Sequence, residues 1–266
     1  MRILFLGDIV GEPGRKSVIK FIESIKQEYQ IDFSIVNGEN SAGGRGITPK
    51  IANDLFKAGV DVITTGDHVW DQRELADHFA TEDRILRPIN YPGDEIPGKG
   101  IIVVDTPQGK LAVMNAQGRT FMGQALENPF LVLEEEVDQL IADGTKMIFL
   151  DFHAETTSET IAMGYHLDGK ASAVVGTHTH VQTADERILP KGTAHLTDAG
   201  MCGPETSVLG RSVESIIYRF KTSLPTRFPV AKGPVRLCGA IVDIDPETGR
   251  ATKIQRYNRL LEPSEM

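Results

Sequence analysis

The sequence predicts an α/β fold with strands and helices in alternation. Short apolar runs that stop at a polar residue recur along the chain, amphipathic helical periodicities lie between them, and the composition is that of an ordinary globular protein. The first run, Arg2-Ile-Leu-Phe-Leu-Gly7, ends at Asp8, and Phe33-Ser-Ile-Val-Asn-Gly38 leads into Glu39 and Asn40. Val60-Asp-Val-Ile-Thr-Thr-Gly66 leads into Asp67 and His68, Met147-Ile-Phe-Leu-Asp-Phe152 into His153, and Ala173-Val-Val-Gly176 into Thr177-His178-Thr179-His180. Runs of about four to eight residues rich in Ile and Val and bounded by glycine read as buried strands.

The helices follow from spacing and from their start signals. Between Arg15 and Tyr29, Val18, Phe21, Ile22, Ile25 and Tyr29 recur at intervals of three and four and share one face. Thr48-Pro49 combines an N-cap with proline at the first helical position. Asn128-Pro129 does the same for a helix with Phe130, Leu133, Val137, Leu140 and Ile141 on its apolar side; Glu134 to Glu136 suit its N-terminal dipole. The Pro- and Gly-rich stretch from about Arg84 to Gln108 predicts surface loops, with a small cap within 84–130, inside a single domain spanning 1–266. A short helix near Val213 to Phe220 and two strands, Leu237–Ile244 and Lys253–Tyr257, joined by a turn at 245–249, complete the reading.

Composition bounds the function. An apolar share of 40% with 24% charged residues excludes wholesale disorder. A net charge of −9, from 28 Lys and Arg against 37 Asp and Glu, argues against long nucleic acid or an anionic membrane surface as partner. A small anionic substrate stays open, because a local cation can reverse the local field. Two cysteines, Cys202 and Cys238, are too few for a disulfide scaffold and predict a reducing, cytoplasmic setting. No signal-like leader precedes Asp8 and no apolar run approaches about 18 residues, so no membrane span is expected.

In open α/β sheets, sites collect beyond the carboxyl ends of strands. If the five runs share a sheet edge, Asp8, Glu39, Asn40, Asp67, His68, His153, His178 and His180 converge there, the last two expected to alternate along an extended segment. Carboxylates and imidazoles without thiols suit manganese, iron or zinc rather than a structural zinc–cysteine site. So many groups exceed the needs of one four-coordinate ion and match two metals sharing a bridging carboxylate, a clamp suited to phosphate-ester hydrolysis. The glycines at 7, 11 and 14 fit neither nucleotide-binding glycine pattern. His78, His166 and His195 lie outside the motifs and read as structural or solvated, and Cys202 as a small buried residue.

Gly-Asp8-Ile-Val-Gly, Asn-Gly-Glu39-Asn40-Ser-Ala-Gly-Gly, Gly-Asp67-His68-Val-Trp-Asp, Asp-Phe-His153-Ala-Glu and Gly-Thr-His178-Thr-His180-Val-Gln-Thr, together with Leu-Thr-Asp-Ala-Gly-Met-Cys-Gly-Pro at 196–204, span essentially the whole chain. In order and spacing this set resembles the calcineurin-like metallophosphoesterases, more narrowly their bacterial branch of the 2′,3′-cyclic-nucleotide 2′-phosphodiesterase type. The resemblance implies a four-layer αββα sandwich and two divalent or mixed-valence metal ions, iron or manganese. It implies that Asp8, Asn40 and His180 hold one ion, that Asp67, His153 and His178 hold the other, and that Glu39 bridges them. His68 would stand over the phosphate as general acid while a metal-bridging hydroxide attacks phosphorus in a small phosphodiester such as a 2′,3′-cyclic nucleotide. A homo-oligomer is common for such enzymes.

One position departs from the resembled pattern, which reads Gly-Asn-His where this chain has Gly-Asp67-His68. The added carboxylate lowers the positive charge of the loaded centre by one, which predicts weaker attraction for a phosphodiester, less acidified water, altered metal preference and a more readily protonated His68. Two other readings compete. His178-x-His180 also occurs in amidohydrolase and β-lactamase-type metallohydrolases, but Val181-Gln182-Thr183 supplies no further ligand. A regulatory protein that keeps the fold and binds a nucleotide or partner with little turnover is the reading that Asp67 sustains.

Overall fold

The computed structural model describes residues 1–93, 95–261 and 264. Its two sheets form because the strands alternate apolar side chains between two faces. In β1 (Arg2–Leu6), Ile3 and Phe5 point between the sheets, whereas Leu4 and Leu6 point toward the helices outside. The first sheet runs β2 (Asp8–Ile9), β11 (Met201–Pro204), β12 (Val235–Ile244), β1, β3 (Phe33–Asn37) and β4 (Val62–Thr64), with β13 (Ala251–Leu261) also paired to β12. Within it β1, β3 and β4 are parallel, with Leu6 beside Val36 and Asn37 beside Thr64.

The second sheet runs β5 (Ile101–Thr106), β6 (Gly109–Gln117), β7 (Met147–His153), β8 (Ala173–Thr177), β10 (Ala194–Leu196) and β9 (Arg187–Ile188). Strands β6, β7, β8 and β10 are parallel, and the β7–β8 register sets His153 beside Thr177. Between the sheets Ile3, Phe5, Ile35 and Val62 meet Leu111, Val113, Phe149 and Val175, and the Phe5 and Phe149 rings lie 5.3 Å apart.

Helices close the outer faces. On the first sheet lie α1 (Gly11–Tyr29), burying Val18, Ile22 and Ile25, and α2 (Pro49–Lys57), whose cap Thr48 accepts from the Ile51 N–H at 3.2 Å. The short α3 (Glu74–His78) follows. On the second sheet lie α4 (Pro129–Ala142), capped by Asn128, and α5 (Thr157–His166). Leu133, Val137 and Met163 from these helices pack under β6, β7 and β8. The layers are therefore helix, sheet, sheet, helix, as expected. The last helix, α6 (Val213–Thr222), buries no residue in either core. Among the described residues, no helix is long and apolar enough to cross a membrane.

Two expectations change. The strand ends do not share one sheet edge: β1, β3 and β4 belong to the first sheet and β7 and β8 to the second. Their carboxyl ends still converge because both sheets run parallel at their centres and pack face to face. The stretch Arg84–Gln108 is not all loop either, since β5 pairs antiparallel with β6 and makes the edge of the second sheet. The dense Pro and Gly of 88–100 conceal the Ile101-Ile-Val-Val run that follows them.

Candidate metal centre

The functional side chains lie at or just past the ends of strands. Asp8 follows Gly7, Glu39 and Asn40 follow the β3–Gly38 turn, and Asp67 and His68 follow β4 through Thr65 and Gly66. Gly66 is required by what surrounds it: a Cβ there would lie 2.3 Å from Glu39 Oε2 and 2.4 Å from the His153 ring. His153 is the last residue of β7. His178 and His180 depart from the expected extended alternation, because both have left-handed backbone, at φ 110° and 65°. Such conformations cost a non-glycine residue on the order of 1–3 kcal/mol and persist only where neighbours enforce them. Here the neighbour is Asp198, which accepts from the Thr179 N–H at 2.9 Å and its hydroxyl at 2.8 Å.

Glu39, Asp67, His153 and His178 each offer a ligand atom, all within 4.8 Å of one another. His153 Nε2 lies 3.1 Å from Asp67 Oδ1, 3.3 Å from Glu39 Oε2 and 3.0 Å from His178 Nδ1. Asp8, Asn40 and His180 adjoin this group through Glu39. Asn40 Nδ2 is 2.6 Å from Glu39 Oε1 and 3.2 Å from His180 Nε2, which in turn is 3.8 Å from Asp8 Oδ1. Asn40 thus turns its amide nitrogen inward, and ligation by its oxygen requires the amide reversed. His68 stands at the rim: its backbone N–H donates to Glu39 Oε2 at 3.3 Å, its ring Nε2 is 3.8 Å from Asp67 Oδ2, and its ring Nδ1 is 3.1 Å from Asp71 Oδ2. Arg45 also pairs with Asp71, at 2.8 Å, so the loop arginine orients the His68 partner.

The electrostatics call for a cation. Burial, then the charges of Asp67 and Asp8, push the Glu39 carboxyl well above its ordinary range. Burial pushes Asp67 up too, but the close approach of the His153 and His178 ring nitrogens, with the charges of His153 and His68, outweighs it and holds that carboxyl well below its ordinary range. Burial lowers His153; it also opposes charge on His178, where the hydrogen bond to Asp67 and the charges of Asp67, Asp8 and Glu155 prevail and raise it.

The residues fit metal ions. Asp8 Oδ1 is buried with no hydrogen-bond partner, an uncompensated acceptor aimed at this cluster. The outer nitrogen of His178 faces the Glu155 carboxylate at 3.1 Å, and that of His180 faces the Leu209 carbonyl at 3.2 Å. Both partners accept, so in the neutral rings the inward nitrogens carry lone pairs.

Above the cluster lies a cavity of about 390 Å³ whose floor includes Glu39, His178 and His180 and whose wall includes Leu209, Ile216 and Phe220. Four contributors escaped the sequence reading. Asp151 sits inside the β7 apolar run, Glu155 lies two residues past His153, Asp198 falls within the 196–204 motif, and Arg211 ties the wall to the Gly43 and Gly44 carbonyls. An aspartate inside an otherwise apolar strand was the readable signal for Asp151. Burial, then the charge of Asp8, pushes Asp198 up to about 7.

An αββα sandwich with carboxylates and imidazoles gathered at the shared strand ends defines the metallophosphoesterase class. The YmdB-like protein family matches residues 4–257 of this sequence, and the chain belongs to that family. It is 52% identical over 259 residues, 96% of each chain, to the 2′,3′-cyclic-nucleotide 2′-phosphodiesterase of Bacillus subtilis (strain 168). A hypothetical protein from Thermus thermophilus superposes with a TM-score of 0.91 at 38% identity, over 98% of this chain and 100% of that one. A phosphatase from Mycoplasma pneumoniae superposes with a TM-score of 0.92 at 34% identity, over 100% of this chain and 95% of that one.

Proposed function

We propose that the chain, acting as one catalytic unit over residues 1–266, is a metal-dependent phosphodiesterase that opens small phosphodiesters, with 2′,3′-cyclic nucleotides as the preferred class. The observation that carries this reading is the convergence of Glu39, Asp67, His153 and His178, of which Glu39 and His178 open onto a cavity with an apolar wall. Asp67, His153 and His178 would hold one ion and Asp8, Asn40 and His180 the other, with Glu39 shared; iron and manganese suit this thiol-free set. When bound, such ions neutralise charge on the phosphoryl oxygens and acidify the attacking water. The apolar wall of Leu209, Ile216 and Phe220 takes the nucleoside part. Asp71 accepts the Nδ1 proton of His68 and leaves Nε2 facing the cavity, so a proton taken up at Nε2 is the one passed to the departing ribose oxygen. The two cysteines, both free and buried, support a cytoplasmic setting.

The test is conversion of a 2′,3′-cyclic nucleotide to the 3′-nucleotide by metal-depleted chain, before and after addition of Mn²⁺ or Fe²⁺. Turnover restored by metal is expected, and a His68→Ala variant should bind metal normally yet lose about 10²–10⁴ in kcat. No turnover of cyclic nucleotide or bis-p-nitrophenyl phosphate with either metal overturns the reading in favour of a binding protein.

A further inference from the structure

Asp151 lies in the middle of β7, fully buried, where the two sheets face each other. Its Oδ2 accepts from Asn37 Nδ2 at 2.9 Å and from the Thr64 hydroxyl at 2.5 Å, both from the first sheet. Its Oδ1 accepts from the Thr177 hydroxyl at 2.7 Å, on β8 of the second sheet. The Asn37 amide cannot reverse cheaply, because its oxygen already accepts from the Glu39 N–H at 3.1 Å. Every group around Asp151 therefore arrives as a donor.

Hydrogen-bond direction then propagates to the metal centre. A threonine hydroxyl has one hydrogen, and Thr177 commits it to Asp151. Toward His153 Nδ1, 2.9 Å away, Thr177 can only accept, so Nδ1 carries the imidazole proton. Nε2 is left with its lone pair, directed at Glu39, Asp67 and His178. We infer that Asp151 is a positioning residue: through Thr177 it fixes the tautomer in which His153 presents Nε2 to the metal. The metal part of this inference rests on the proposed function; the tautomer part does not.

The near-isosteric Asp151→Asn tests it, because the surroundings dictate how the new amide sits. Asn37 and Thr64 both need an acceptor, so the amide oxygen takes the Oδ2 position and its NH₂ faces Thr177. Thr177 must then accept from that NH₂ and turn its hydrogen toward His153 Nδ1, which drives the ring proton to Nε2. In metal-free protein at mildly alkaline pH, ¹⁵N spectra of labelled histidine should show the His153 proton on Nδ1 in the parent chain and on Nε2 in the variant. Calorimetric titration with Mn²⁺ should show affinity falling about 10- to 100-fold. Should Asp151→Asn fail to fold, Thr177→Val removes the relay and should likewise lose the Nδ1 proton signature and Mn²⁺ affinity, with Thr177→Ser restoring both. An unchanged tautomer and unchanged Mn²⁺ affinity in a folded variant, even one with a lowered Tm, would overturn the inference and leave Asp151 a purely structural bridge. If the parent chain itself binds no Mn²⁺, the proposed function fails while the ¹⁵N readout still decides the role of Asp151.

Discussion

At position 67 a carboxylate stands where the resembled pattern has an amide, and the structure shows where it sits. Asp67 Oδ1 lies 3.1 Å from His153 Nε2 and 3.4 Å from His178 Nδ1, inside the ligand cluster rather than beside it. Replacing it with an amide keeps an oxygen ligand and removes one negative charge from the loaded centre. The Asp67→Asn variant should lower the KM for a phosphodiester about tenfold, equivalent to about 1.4 kcal/mol, and should change the order of activation by Mn²⁺ and Fe²⁺. Steady-state kinetics with each metal checks this, and unchanged KM and metal order would show that the charge is compensated elsewhere. Ligand candidates such as Glu39 and His153 were legible because each ends an apolar run, a signal carried by neighbours in sequence. Asp198 and Glu155 were not, because Thr179 is brought to Asp198 only by the pairing of β8 with β10, and His178 to Glu155 only by the pairing of β7 with β8.

Among the elements, β10 shows how a buried titratable group constrains a strand and the helix over it. His195 is fully buried in β10, and a Cβ on Gly164 of α5 would come within 2.6 Å of its Nδ1. Gly164, in the last turn of α5, is therefore the space the imidazole occupies, a reason the sequence periodicity of α5 does not reveal. Burial, then the charge of Arg187, pushes the His195 pKa down to about 4, with Asp185 opposing. An unfolded chain takes up this proton near pH 6.5, whereas the folded chain refuses it until about pH 4. More protons are bound in the unfolded state across that interval, so stability is full above it and declines as pH falls. The contribution at stake is about 3 kcal/mol. Urea titrations between pH 7 and pH 4 should show a shallower loss of stability in His195→Leu than in the parent, and identical slopes would show that another group dominates the acid limb. The starts of the helices capped by Thr48 and Asn128 were legible to the residue; β5 was not, since its short Ile and Val run lies directly behind a Pro- and Gly-rich stretch that reads as loop.

For the whole molecule, the centre is a seam. Asp8, Glu39, Asn40 and Asp67 come from the first sheet, and His153, His178 and His180 from the second. A cation held by both sets ties the sheets together and stabilises the fold by mass action, about 2.7 kcal/mol at a metal concentration a hundred times Kd. Thermal unfolding should accordingly rise by about 5 °C or more when Mn²⁺ is added to metal-depleted chain, and return on chelation. A melting temperature indifferent to Mn²⁺ would show that the seam holds without the ion.

The net charge of −9, which argued against polyanions, does not argue against this chemistry, because some of those carboxylates line the cluster that a cation would occupy. Helix α6 has a different standing from the rest. It adds nothing to either core, yet its Ile216 and Phe220 form part of the cavity wall, and Phe220 is 82% exposed. If the proposed function holds, the frame that gathers the ligands and the wall that would meet the substrate's organic part are separately mutable. Changes on α6 would then retune which ester is accepted with little penalty in folding, whereas changes at the strand ends would disturb the ligands themselves. On that reading the sheets fix the ligands, and substrate choice would fall to a helix that contributes no buried residue to either core.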